Sequence, residues 1–278
     1  MKRNLIIFSA WVCLAGWLGL ALEQLLGGEQ QSGFGLLLWL VSPLVGCLLL
    51  RAFGGDGWSD LGLRPGLGRN LSWYLMSALV YPGVAVLVLI VGLALGAVKV
   101  PGLPGNTPQA FFMGVAFSLA PLFFKNIFEE FGWRGYLTPR LAAARVNDTL
   151  ADVLTGLVWA TWHLPYYFGL LSREEFTRYT SQGLGVFMIT MYIGLVASSL
   201  VYGVIRRQSG TLWPAVLMHA VGNAFLVVLL GQDFVVIRPQ VEFLFTPSLE
   251  GLLSAGLLAL IGIGLQRMMK APRRLKRI

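Results

Sequence analysis

Residues 117–137 read FSLAPLFFKNIFEEFGWRGYL, an apolar run suited to a bilayer that nevertheless carries the adjacent carboxylates Glu129 and Glu130, with Arg134 just beyond. Ionisable side chains in hydrocarbon cost about 2.5–3.5 kcal/mol each on insertion scales. The chain holds only two histidines, and both lie in stretches of the same kind. His163 sits in LVWATWHLPYYF (157–168) and His219 in LWPAVLMHAVGNAF (212–225). Keeping such groups on three separate apolar segments points to a polar site assembled inside the membrane.

The rest of the 278-residue chain agrees with that class. Hydrophobic residues make up 56% and charged residues 12%, far from the balance of a soluble domain. Runs long enough to cross about 30 Å of hydrocarbon recur throughout. The expected fold is an all-α, polytopic membrane protein, a bundle of about eight transmembrane helices forming a single transmembrane domain over residues 1–278. The spans fall near 5–26, 34–53, 71–98, 108–137, 149–168, 184–205, 211–230 and 248–268, with 108–230 as the motif-bearing core. The segments between them carry the Gly, Pro and Asn of loops. Cys13 and Cys47 fall inside spans, outside any CxxC, and read as small apolar residues.

Basic residues orient the bundle. With the N-terminus inside, cytoplasmic segments hold Lys2, Arg3, Arg51, Arg64, Arg69, Arg134, Arg140, Arg145, Arg206 and Arg207. The tail adds Arg267, Lys270, Arg273, Arg274, Lys276 and Arg277. The outer segments hold Lys99, Arg173, Arg178 and Arg238, and Lys125 is left within a span. The positive-inside rule therefore places both the N- and C-termini in the cytoplasm. The net charge of +8 follows from this bias, and the tail is expected to touch anionic membrane lipids; nucleic acid is not an expected partner. The first apolar run is long and lacks an A-x-A site, so it reads as a retained helix and not a cleaved signal. No internal repeat is evident, which weighs against a transporter of inverted halves.

The polar residues narrow the chemistry. Glu130 and Arg134 are i,i+4 partners in the favourable order, a structural clamp. Glu129, about 100° away on the helix, is left to face a cavity, with Lys125, Asn126 and Trp133 on its side. Trp159 shares a face with His163, and His219 and Asn223 are again i,i+4. Taken singly, each histidine reads as well as a hydrogen-bonded core residue or interhelical glue. Together they could activate water with a carboxylate and stabilise an oxyanion with an imidazole and an amide. Alternatively Glu129, His163 and His219 could be metal ligands holding a Zn²⁺ with an open position, although the H-E-x-x-H spacing is absent.

At these residues the sequence resembles the CPBP (CAAX protease and bacteriocin-processing) intramembrane proteases, related to the type II CAAX prenyl endopeptidase. EEFGWRGYL (129–137) matches their E-E-x-x-x-R motif, and WATWH (159–163) and HAVGN (219–223) match the second and third motifs in order. Trp159 stands where the family often has Phe, a change that keeps the aromatic character. The resemblance implies an intramembrane endopeptidase acting on a peptide or lipidated protein substrate, CAAX-type prenylated chains among the candidates. It implies Glu129 as the catalytic glutamate helped by His163, His219 and Asn223 as the oxyanion pair, and Glu130 with Arg134 as the clamp. The family has been described both as metalloproteases and as metal-independent; Asn223, a good donor and a poor zinc ligand, leans toward no obligatory metal. The alternatives are a non-catalytic scaffold or bacteriocin-immunity protein of the same fold, and a proton-coupled transporter.

Helix rise places His219 and Glu129 at similar depths, roughly 12 Å from the cytoplasmic face. His163 joins them only if the fifth helix begins below the membrane, which Asp152 makes reasonable. The expectation is one cavity opening on the cytoplasmic side and enclosing all four side chains, in a bacterial plasma membrane.

Overall fold

A computed structural model describes residues 2–25 and 33–270. The basic tail residues Arg273, Arg274, Lys276 and Arg277, expected to meet lipid, lie outside the described residues. The helices in order are α1 (Lys2–Leu25), α2 (Phe34–Phe53), α3 (Leu67–Ala94), α4 (Pro108–Gly132), α5 (Thr138–Ala143), α6 (Asp148–Trp162), α7 (Arg173–Tyr179), α8 (Leu184–Ser209), α9 (Trp213–Gly231), α10 (Glu242–Phe245) and α11 (Leu252–Lys270). A π-helical turn, Trp133–Leu137, joins α4 to α5, and a second, Tyr166–Leu170, follows α6. The protein is thus an all-α, multi-pass integral membrane protein.

Among the described residues seven helices are long and apolar enough to cross a membrane; α4 and α5 count as one helix running Pro108–Ala143. The expected fifth span, 149–168, differs. Its helix α6 has 15 residues, about 22 Å of rise and short of a full crossing. Pro165 has no N–H to continue the ladder, so the helix stops at Trp162 and His163 becomes its C-cap. The eighth member of the bundle is therefore a short helix with the histidine at its tip.

Local signals set the other boundaries. Thr107 caps α4, its Oγ1 accepting from Ala110 N at 3.1 Å ahead of Pro108 in the first turn. Asn147 caps α6 through Thr149 N and Leu150 N, and Ser172 with Glu175 forms a capping box on α7. Gly210, at φ +68°, ends α8 in the left-handed conformation that glycine adopts without strain.

α8 packs on α6 and α11, α4 on α2 and α9, α3 on α9, and α1 on α2. Close approach of α6 to α8 depends on Gly203, where a Cβ would strike the Asp152 carboxylate. The two ends of this bundle differ. At one, arginines lace the connections: Arg51 Nη1 holds Asp60 Oδ1 at 2.7 Å and Arg51 Nη2 holds the Gly135 carbonyl. Arg206 Nε donates to the Arg134 carbonyl at 2.8 Å, and Arg207 meets both Asp152 oxygens at 2.7 Å. At the other end, two-residue strands β1 (Val98–Lys99) and β2 (Val236–Ile237) pair antiparallel, and Asn106 bonds the Gln232 and Asp233 carbonyls. Glu242 there accepts from Thr180 and Ser181.

Candidate active site

α4 delivers the two carboxylates in different directions. Glu129 is 1% exposed and Glu130 fully buried. Glu129 Oε1 accepts from Lys125 Nζ at 2.8 Å, the i−4 neighbour expected to share its face. Its Oε2 accepts from the Trp159 indole Nε1–H at 3.0 Å. This bond was not foreseen: phenylalanine would keep the ring but could not donate, so Trp159 does more here than keep aromatic character.

Glu130 faces a packed interior. Its Oε1 receives Arg134 Nη1 at 3.2 Å, as the i,i+4 spacing predicts. The same oxygen also pairs with His219 Nδ1 at 2.8 Å. Arg134 donates from Nη2 to Ser199 Oγ at 3.3 Å, and its guanidinium lies over the rings of Tyr202 (3.9 Å) and Trp159 (4.5 Å). Ser199, a buried residue of α8, is thus a partner of Arg134. Glu130 serves Arg134 and His219 at once, a double duty that spacing along one helix could not reveal.

His219 bridges the two sides. Its Nδ1 is held by Glu130 and its Nε2 lies 4.0 Å from Glu129 Oε2, with the ring edge-on to Trp159. One turn later on α9, Asn223 Nδ2 donates to Asn126 Oδ1 at 3.2 Å, which ties α9 back to α4. His163, at the tip of α6, donates from Nδ1 to the Trp159 carbonyl at 2.9 Å, which leaves Nε2 as the lone-pair nitrogen.

Glu129, His163, His219 and Asn223 all line one cavity of about 560 Å³, together with Lys125 and Trp159. His163 reaches the others with α6 anchored near its start, where Asp152 holds Arg207, and ending at the cavity. The direction of the cavity departs from expectation. Its lining runs through Tyr166, Tyr167, Tyr179 and Glu250, toward the end of the bundle that bears α7 and away from the basic end. The basic end is closed by the 54–66 connection, where Leu61 is buried and the Gly62 carbonyl accepts from Leu212 N at 2.9 Å. Leu36 and Val227 belong to the lining and are 41% and 54% exposed, so the cavity also meets the outer surface of the bundle.

These donors do not fit a zinc centre. Both Glu129 oxygens already accept hydrogen bonds, one from an ammonium that would repel a dication. Among the described residues no three His, Cys, Asp or Glu side chains gather at ligand spacing. The alternative ligand set of Glu129, His163 and His219 is therefore not assembled.

Residues 118–225 match the family model described as Type II CAAX prenyl endopeptidase Rce1-like. Over 125 residues the chain is 30% identical to a protein named CAAX prenyl protease 2 from Methanococcus maripaludis, a match covering 44% of this chain and 44% of that one. The matched stretch thus spans under half the length of that curated relative. Residues 118–225 contain all three motifs and every side chain named above as a candidate, and the two matches support the CPBP, Rce1-like family.

Proposed function

We propose, from a chain whose residues 118–225 belong with the Rce1-like family, that this protein is an intramembrane endopeptidase using Glu129 to activate water. The observation that carries the reading is the convergence of a carboxylate, two imidazoles and an amide from α4, α6 and α9 on one cavity within the bundle. Those groups suffice to hydrolyse an amide.

Glu129 takes a proton from the attacking water as it adds to the scissile carbonyl. Lys125 and Trp159 hold the carboxylate in place through one bond to each oxygen. His163, with Nδ1 fixed on a carbonyl, presents Nε2 to the same water. The oxyanion that forms is met by an N–H of Asn223 and by His219 Nε2–H, in a low dielectric where such bonds count most. With Nδ1–H of His219 committed to Glu130, donation from Nε2 requires the doubly protonated ring. The proton then passes to the departing amine. Glu130 and Arg134 touch no reacting atom; they fix α4, the His219 ring and Trp159.

A membrane-associated peptide suits the cavity, because exposed Leu36 and Val227 open it to the hydrocarbon. A prenylated C-terminal peptide is one such substrate, and the relative's name supports including it. The direct test incubates the protein in lipid with farnesylated and unmodified quenched peptides beside Glu129→Ala. Cleavage by the native chain alone is expected. Peptide binding without cleavage by either would favour a scaffold or immunity protein, and equal cleavage by both would remove Glu129 from the mechanism.

A further inference from the structure

The cavity holds a second buried carboxylate that the proposed hydrolysis does not use. Glu250 lies in the short connection between α10 and α11, is 7% exposed, and lines the cavity shared by Glu129, His163 and Asn223. Its Oε2 accepts a short hydrogen bond from Ser248 Oγ. Its own backbone N–H also bonds the carboxylate, but no lysine, arginine or histidine pairs with it among the described residues. The contrast with the other buried acids near the site is plain: Glu129 holds Lys125, Glu130 holds Arg134, and Asp152 holds Arg207. Arg178 shares an adjoining hollow with Glu250 but forms no ion pair with it.

Charge around the cavity strengthens the point. Beside His163 and His219, which the hydrolysis uses, the lining carries Glu129, Glu175 and Glu250 against one lysine, Lys125, whose charge is already matched by Glu129. In a chain of net charge +8 this is an acidic chamber in a basic protein. A buried carboxylate without a counter-ion is costly, and an arriving cation removes that cost. Tyr166, Tyr167 and Tyr179 line the same end and supply aromatic side chains of the kind that attract an ammonium or guanidinium.

We propose that Glu250 anchors a subsite for a lysine or arginine side chain of the substrate, at a position removed from the bond on which Glu129 acts. This deepens the endopeptidase reading and rests on it for the word substrate. Glu250 is a specificity residue: it selects which peptide is held, while Glu129, His163, His219 and Asn223 act on the bond.

Binding tests the subsite without requiring turnover. Membrane-associated peptides that differ in one side chain, lysine against the neutral acetyl-lysine, are titrated onto the full chain carrying Glu129→Ala in lipid vesicles. The lysine peptide is expected to bind about tenfold more tightly, and adding Glu250→Gln should erase the preference while leaving acetyl-lysine binding unchanged. Carbodiimide coupling of the bound lysine peptide, mapped by mass spectrometry on the chain with native Glu250, gives a readout independent of that variant's folding. A conjugate at Glu250 is expected. No lysine preference, a preference that survives Glu250→Gln, or coupling confined to Glu175 would overturn the proposal. Glu250-dependent lysine binding, beside a chain with native Glu129 that cleaves neither peptide, would uphold the subsite and remove the protease reading.

Discussion

The two sides of α4 carry carboxylates one residue apart and treat them differently. On the cavity side, Glu129 pairs with Lys125, a side chain 37% exposed whose ammonium has a route to water. On the packed side, Glu130 is bound to Arg134, and both are 0% exposed. Loss of Glu129 leaves a lysine that can rehydrate, whereas loss of Glu130 strands an arginine in the interior. Adjacent identical residues can therefore divide into one available for chemistry and one that holds the frame, the division being set by where the counter-ion can go.

Replacement of Glu129 should break the comparison most visibly. Glu129→Gln is expected to lower peptide cleavage by about 10³–10⁴-fold, the size of a lost general base, with a melting temperature close to that of the native chain. Glu130→Gln should act in the other sense, destabilising the bundle by about 3–5 kcal/mol through the uncompensated Arg134, as read by thermal melting in lipid. On the cavity side again, Asn223→Ala should cost about 10²-fold in cleavage rate by removing an oxyanion donor and little in melting.

A smaller effect extends the comparison to the basic end. Burial raises the Asp56 carboxyl, but hydrogen bonds from Tyr136 and Asn4 and the charge of Arg140 outweigh it, so its folded pKa lies below the ordinary value of 3.8. A depressed carboxylate contributes stability above its unfolded pKa and loses it as pH falls through the folded one. The native chain should therefore melt above Asp56→Asn near neutral pH, and the gap should close on acidification below about pH 4. A gap that widens in acid would reverse the sign of this assignment.

Much of this was legible in the residues. The second span, expected at 34–53, is α2 (Phe34–Phe53), because an uninterrupted apolar segment bounded by loop residues leaves little choice. The Glu130–Arg134 pair followed from helical spacing. What escaped needed a partner distant in sequence. The His219–Glu130 bond joins residues 89 apart, and the Trp159–Glu129 bond residues 30 apart. The end of α6 was readable in Pro165, yet the apolar run beyond it masked the break. The cavity's direction depended on how Arg51 and Arg206 draw the 54–66 connection over one end. Charge counting registers those arginines without saying what they hold. β1 and β2 are too short for any periodicity to register.

The most direct measurement compares Glu129→Gln with Glu130→Gln in one lipid preparation, reading peptide cleavage per folded molecule. The account predicts that Glu129→Gln is folded and inactive, while whatever fraction of Glu130→Gln remains folded still cleaves, more slowly because His219 Nδ1 has lost its carboxylate partner. A folded Glu129→Gln that cleaves at the native rate, beside a folded Glu130→Gln that does not, would contradict it.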